Sequence, residues 1–302
     1  MGHEWDISLD LLVHTYVRRS RFVDLFAPAD PCSITRLFTR RPRTLVQTTM
    51  PPSLPPETLD TIIDHLQDEP TALKACCTVS KSWIPRTRRH LFARVEFIAP
   101  TSPLGAWMET FPDPSSSPAH HTRTLSIYGA PDEGRDVDDW IRAFHNVEHL
   151  LFAHMHGPSL VPFHALSPAV RSLHLTYTST DVFDLICSFP LLEDLALLDP
   201  HHGLEADGWN TPSTSPKLTG RLDLRTSWGL HSIADKLRTL PNCLHFTEIT
   251  IEFGIGDTDP IMDLVSSCSD TLESLTVNCF IMMGTSPSAS AIWSIHYPRS
   301  PT

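Results

Sequence analysis

The chain has 302 residues, with 35 acidic against 23 basic side chains and a net charge of −12 at neutral pH. That balance repels phosphate backbones and speaks against a nucleic-acid partner, and no apolar run reaches the ~18 residues that a membrane span needs. Seven cysteines (Cys32, Cys76, Cys77, Cys187, Cys243, Cys268 and Cys279) are scattered and odd in number, without CxxC spacing. They argue against a disulfide framework or a structural zinc site, and with no signal-peptide pattern at the start they suit a reducing compartment, cytoplasmic or nuclear.

In chain order, residues 1–49 offer one possible helix (Ile7, Leu9, Leu11, Leu12, Tyr16) followed by Arg36, Arg40, Arg41 and Arg43, and are expected to form a poorly ordered extension. Met50 stands just before a Pro-rich approach, so a shorter product beginning there is a further expectation. The next segment, 50–97, opens with Leu54-Pro55-Pro56-Glu57, where prolines suit a first helical turn and Glu57 lies near the positive end of the helix dipole. Leu59, Ile62, Ile63 and Leu66 then form one apolar stripe. Pro70 interrupts the pattern, and a second short helix follows with Leu73, Cys76, Cys77 and Val79. Ser82 can cap a third helix, which tolerates Pro85 and carries Trp83, Ile84, Thr87 and Leu91 along one side, with Arg86, Arg88, Arg89 and His90 as a solvated face. So few residues bury little surface alone, which implies a partner.

Beyond Phe97 a short alternating apolar frame recurs. Its first apolar residues, Leu125, Leu150, Leu173, Leu195, Leu222, Ile249 and Leu275, are spaced by 25, 23, 22, 27, 27 and 26 residues. Helical patterns sit between frames, as in Val137, Trp140, Ile141 and Phe144, or Val182, Phe183, Leu185, Ile186 and Phe189. Each unit is thus one strand plus one helix, with faces buried only against neighbouring units. Val95 and Phe97 are in place to supply a first strand directly off the third helix. Residues 98–279 form this repeating region, and from 98 to 302 the chain holds 24 acidic against 10 basic side chains. After Val277 the chain runs through Phe280-Ile281-Met282-Met283 into Ser- and Pro-rich sequence. The 280–302 stretch reads as an irregular tail without a final helix over the last unit, as in a truncated or altered C-terminus.

The order Leu54-Pro55, Glu57, Ile62, Leu66, Leu73, Val79-Ser80-Lys81, Trp83 and Leu91-Phe92 resembles an F-box, the helical module that docks on the Skp-type linker of cullin ubiquitin ligases. The match spans 44 of 302 residues. Pro70-Thr71-Ala72 replaces the usual acidic-leucine step, and Cys76-Cys77 is an unusual pair. The repeating region looks like the irregular leucine-rich repeats that often follow F-boxes, although the regular Asn or Cys position is not maintained. The fold class implied is α/β, a small three-helix F-box-like head followed by a leucine-rich-repeat-like solenoid, or horseshoe.

The resemblance implies a non-catalytic adaptor that needs no cofactor. Leu54, Pro55, Leu59, Ile62, Leu66, Leu73, Val79 and Trp83 would dock on the linker. Strand neighbours on a concave face, Tyr128, His174, Asp194, Asp223, Arg225, Glu248 and Glu252, would bind a target protein. A generic helical subdomain on an interaction scaffold without a ligase role is the alternative reading of the same residues. A remoter one is a zinc-dependent hydrolase, because His145-Asn146-Val147-Glu148-His149 matches HxxEH spacing. Val147-Glu148-His149-Leu150, however, occupies the same slot as Leu192-Glu193-Asp194-Leu195, so the stretch is turning into a strand. Gly254-Ile255-Gly256 lacks the third glycine and the helix of a phosphate-binding loop, and no GxSxG elbow is present.

Overall fold

The computed structural model describes residues 55–98, 103–129, 138–154, 163–164, 166, 168–176, 182–199, 216–226, 230–240, 244–253, 259–280 and 290–296. The 1–49 extension, the Met50 start, Leu54, Val137, Ile281 to Met283 and the Gly254-Ile255-Gly256 stretch lie outside them. The three expected helices are α1 (Pro56–His65), α2 (Pro70–Val79) and α3 (Ile84–Leu91). Proline opens both α1 and α2, where its missing N–H costs nothing and its fixed φ suits the first turn. Ser80, rather than Ser82, is the capping serine: its Oγ accepts from the Ser82 N–H at 3.3 Å and opens a 3-10 turn, Lys81–Trp83, that leads into α3. Ile63, Leu73, Cys76, Thr87 and Phe92 are the buried residues of this helical end.

The recurring frames are strands. In order they are β1 (Arg94–Ile98), β2 (Thr124–Tyr128), β3 (His149–Ala153), β4 (Ser172–Thr176), β5 (Asp194–Leu198), β6 (Arg221–Thr226), β7 (Glu248–Phe253), β8 (Ser274–Phe280) and β9 (Ser290–His296). They make one sheet whose spatial order is the chain order. β1 to β8 run parallel, and β9 returns antiparallel to β8. With no reversal of order there is no switch-point crevice of the doubly wound kind, and with β1 and β9 at opposite ends there is no closed barrel.

Between the strands run α4 (Pro103–Thr110), α5 (Asp138–Ala143), α6 (Val182–Ser188), α7 (Leu230–Thr239) and α8 (Asp259–Ser267). Two 3-10 turns, Pro114–Ser116 and Pro118–His121, precede β2. The side-chain period of two puts every second strand residue into the core: Leu173, Leu175, Leu222, Leu224, Ile249 and Ile251 are each 0% exposed. At the ends of β2, β3 and β5 the chain leaves through a left-handed residue, Gly129 (φ 85°), His154 (φ 57°) and Asp199 (φ 42°). Each donates its N–H to the adjoining strand, to the carbonyls of Ala153, Thr176 and Arg225 respectively.

The expected division into a small three-helix head and a following horseshoe is corrected. Residues Leu54–Thr302 form a single compact unit around one α/β sheet. A boundary at 97/98 would cut through β1, whose Val95 and Phe97 pair in register with Leu125 and Ile127 of β2. An aromatic cluster ties the helical end to the sheet as well. The Trp107 ring lies 5.9 Å from Phe92 at the end of α3, 5.8 Å from Phe97 and 5.7 Å from Phe144 after α5. The 280–302 stretch is corrected too, since Ser290–His296 is a strand that pairs with all of β8.

Candidate functional site

Two surfaces carry the residues singled out from the sequence. On the helical end, Ile62 is 45% and Val79 is 65% exposed, as Leu191 and Met262 are elsewhere on the described surface, but here the two sit at positions singled out from the sequence. Pro55 is exposed, and Leu59, Leu66 and Trp83 are partly so. Leu73 is corrected from docking anchor to core residue: it is 1% exposed and faces the inside of the three-helix packing. Of the basic run on α3, half is internal wiring. Arg86 donates through Nε and Nη2 to the Asp64 carboxylate of α1, and His90 Nε2 lies 2.7 Å from the same group. Hydrogen bonds from Arg86 and His90 hold the Asp64 pKa well below the usual carboxylate range.

The second surface is the sheet face opposite the core rows. Register brings His174, Ala196, Asp223 and Thr250 into one row across β4 to β7. The next row toward the strand ends contains Leu198, Arg225, Glu252 and Asn278. Arg225 makes a bidentate pair with Asp223 (Nε to Oδ1 2.9 Å, Nη2 to Oδ2 2.8 Å) and lies 3.9 Å from Glu252. This bidentate geometry and the added Glu252 charge push the Arg225 pKa up. Ala196 stands between His174 and Asp223 in the row. The buried Nε2 of His174 has no hydrogen-bond partner among the described residues, and neither has the Oδ1 of Asn278 on β8. Burial pushes the His174 pKa down, while Asp223 works against that shift.

Asp194 and Glu248 stand at the strand starts and are already engaged. Asp194 Oδ1 accepts the Arg221 N–H at 2.7 Å, and Arg221 Nε donates to Glu248 at 2.9 Å. Gly220 makes room there: a Cβ would lie 2.2 Å from Asp194 Oδ1 and 3.2 Å from the Glu193 carbonyl, so the carboxylate would have to move. Tyr128 is not part of the group. It sits on β2, four strands from Arg225, or about 19 Å at the usual strand spacing. The site therefore consists of His174, Asp223, Arg225 and Glu252. Asn278, which joins it in register, was readable as a strand neighbour but carried no charge to single it out.

The hydrolase alternative fails on geometry. His145 lies in the turn after α5, while Glu148 precedes β3 and pairs with Arg123, and His149 begins the strand. Among the described residues no group of three or more His, Cys, Asp or Glu side chains could hold a metal ion. One serine and histidine do meet, at 3.0 Å between Ser188 Oγ and His164 Nδ1. The Ser188 hydroxyl, however, donates to the Asp184 carbonyl at 2.8 Å. Its only proton is spent, so the imidazole is the donor in the other contact and does not act as a base toward this serine.

One surface carries charged side chains and the other uncovered aliphatic area. No protein-family model matches the chain, and no curated protein is significantly similar to it. Among the described residues no helix is long and apolar enough to cross a membrane.

Proposed function

We propose that this chain is the substrate-recognition adaptor of a cullin-type ubiquitin ligase, binding a Skp-type linker through its helical end and a target protein through the open face of its sheet. The observation that carries the reading is the exposure of Ile62 and Val79 at two of the positions where the F-box resemblance expects contact with the linker. Leaving two large aliphatic side chains in water forgoes about 1 kcal/mol or more each, a loss that a partner's surface would recover. On the sheet, the Asp223, Arg225 and Glu252 cluster supplies directional polar contacts for a target. The gain in activity would come from tethering, which holds the target at high effective concentration near the ligase's catalytic subunits.

Co-purification of the full chain with a Skp-type linker tests this. The wild type is expected to form a stoichiometric complex, and Ile62→Ala combined with Val79→Ala is expected to weaken it at least about 100-fold, as for a pair of central apolar contacts. Trp83→Ala with Pro55→Ala is expected to do the same. Failure of the folded wild type to bind the linker overturns the proposal.

A further inference from the structure

Arg86 and His90 are consumed by Asp64, but the other two basic residues of α3 are not. Arg88 and Arg89 are exposed, and neither makes an ion pair among the described residues. Beside α3 packs the 3-10 turn Pro118–His121, with its two imidazoles 3.9 Å apart between centroids and tilted by 52°. The turn is built to hold its shape. Pro118 and Ala119 are buried, the Ser117 Oγ accepts from the Ala119 N–H at 3.3 Å, and His120 Nδ1 donates to the Ser117 carbonyl at 2.8 Å. Asn146 Nδ2 then fixes the His120 carbonyl at 2.7 Å.

We propose that Arg88, Arg89, His120 and His121 form a docking surface for a short carboxylate-rich segment of a partner protein. In a chain of net charge −12, two arginines without an ion pair among the described residues, set beside two imidazoles, are out of keeping with the overall balance. The His121 pKa is held down by burial first and then by His120, Arg89 and Arg88; no carboxylate acts on it in the opposite sense. Mutual repulsion of this kind is relieved when an anion arrives, which makes the surface complementary to acidic side chains. A peptide fits better than a nucleic acid. The patch spans one helix face and one turn, too short to follow a phosphate backbone that the acidic remainder of the chain repels. The surface lies apart from Ile62 and Val79 in composition and mode of contact, and the inference stands whether or not a ligase is assembled.

The test uses the full chain, a hexaglutamate peptide as probe and the histidine proton resonances as readout. Hexaglutamate is expected to bind more weakly as salt rises and to raise the His121 pKa. Arg88→Gln with Arg89→Gln is expected to weaken binding about 10-fold or more and to raise the His121 pKa without any ligand. Lys217→Gln with Arg238→Gln, an equal charge change before β6 and on α7, is expected to change neither. The proposal is overturned if hexaglutamate leaves His121 unmoved, if both double variants lose binding equally, or if a thymidine hexanucleotide binds the same surface more tightly.

Discussion

Along the sheet, Phe152, Leu173, Leu222 and Ile249 are wholly shielded from solvent, whereas on the helical end Ile62 and Val79 stand in water beside a small buried set of Ile63, Leu73 and Cys76. The two regions solve the same problem with different resources. A strand unit gains two core rows at once, and each new strand covers the edge of the one before. Three helices of eight to ten residues have no such neighbour on their outer side, and their cohesion leans on the Asp64 contacts and on the aromatic cluster beneath them. The strands thus bury their core rows more completely than the helical end buries its apolar residues.

The sharpest break in that comparison is a large cavity in the sheet. Phe152 is fully buried with its ring 4.7 Å from Phe163, so Phe152→Ala is expected to cost about 3–5 kcal/mol and to lower the main denaturant transition for the whole compact unit. If instead the helical end and the sheet unfolded in separate transitions, with only one of them shifted, the continuity of the unit through β1 would be wrong.

A smaller effect is expected at Gly220. The added methyl of Gly220→Ala would collide with the Asp194 carboxylate and displace it from the Arg221 N–H, at a cost of about 1–3 kcal/mol. In an Asp194→Ala background the collision is gone, so the same substitution should cost at least ~1 kcal/mol less. Additive costs in this double-mutant cycle would show that the glycine is needed for some reason other than the close approach.

Strands were legible because burial on one face imposes a period of two that survives in Leu173-His174-Leu175 or Leu222-Asp223-Leu224 whatever the intervening residues. Their pairing order was legible from the near-constant spacing. The union of helices and sheet was legible only through Val95 and Phe97 of β1; the rest of it joins Phe92, Phe97, Trp107 and Phe144, aromatic residues from four separate segments whose meeting leaves no local pattern. β9 escaped for a related reason. Antiparallel return to β8 follows no repeat spacing, and Ser290–His296 comes after a Ser- and Pro-rich stretch that reads as loop. Among site residues, Asp223 and Arg225 declare themselves as charged strand neighbours two residues apart. Asp64 and its partners Arg86 and His90 lie 22 and 26 residues away from each other in sequence, and nothing in a solvated-looking helix face announces that they converge.

That convergence supplies the smallest and most specific prediction. Because Arg86 and His90 depress the Asp64 pKa in the folded chain, the folded state binds this proton less readily than the unfolded one. The stabilisation is therefore complete above the ordinary value of 3.8 and fades as pH falls from there toward the lowered folded value. The group is solvent-accessible, so screening keeps the effect modest. Asp64→Asn is expected to lower Tm by no more than a few degrees at neutral pH, and the gap to the wild type should begin to narrow below about pH 4 and go on narrowing as the pH falls further. The drop should also shrink in high salt, unlike the cavity at Phe152. A gap that stayed constant with pH and salt would mean that Asp64 acts through helix packing alone, and the helical end would then resemble the sheet in how it is held.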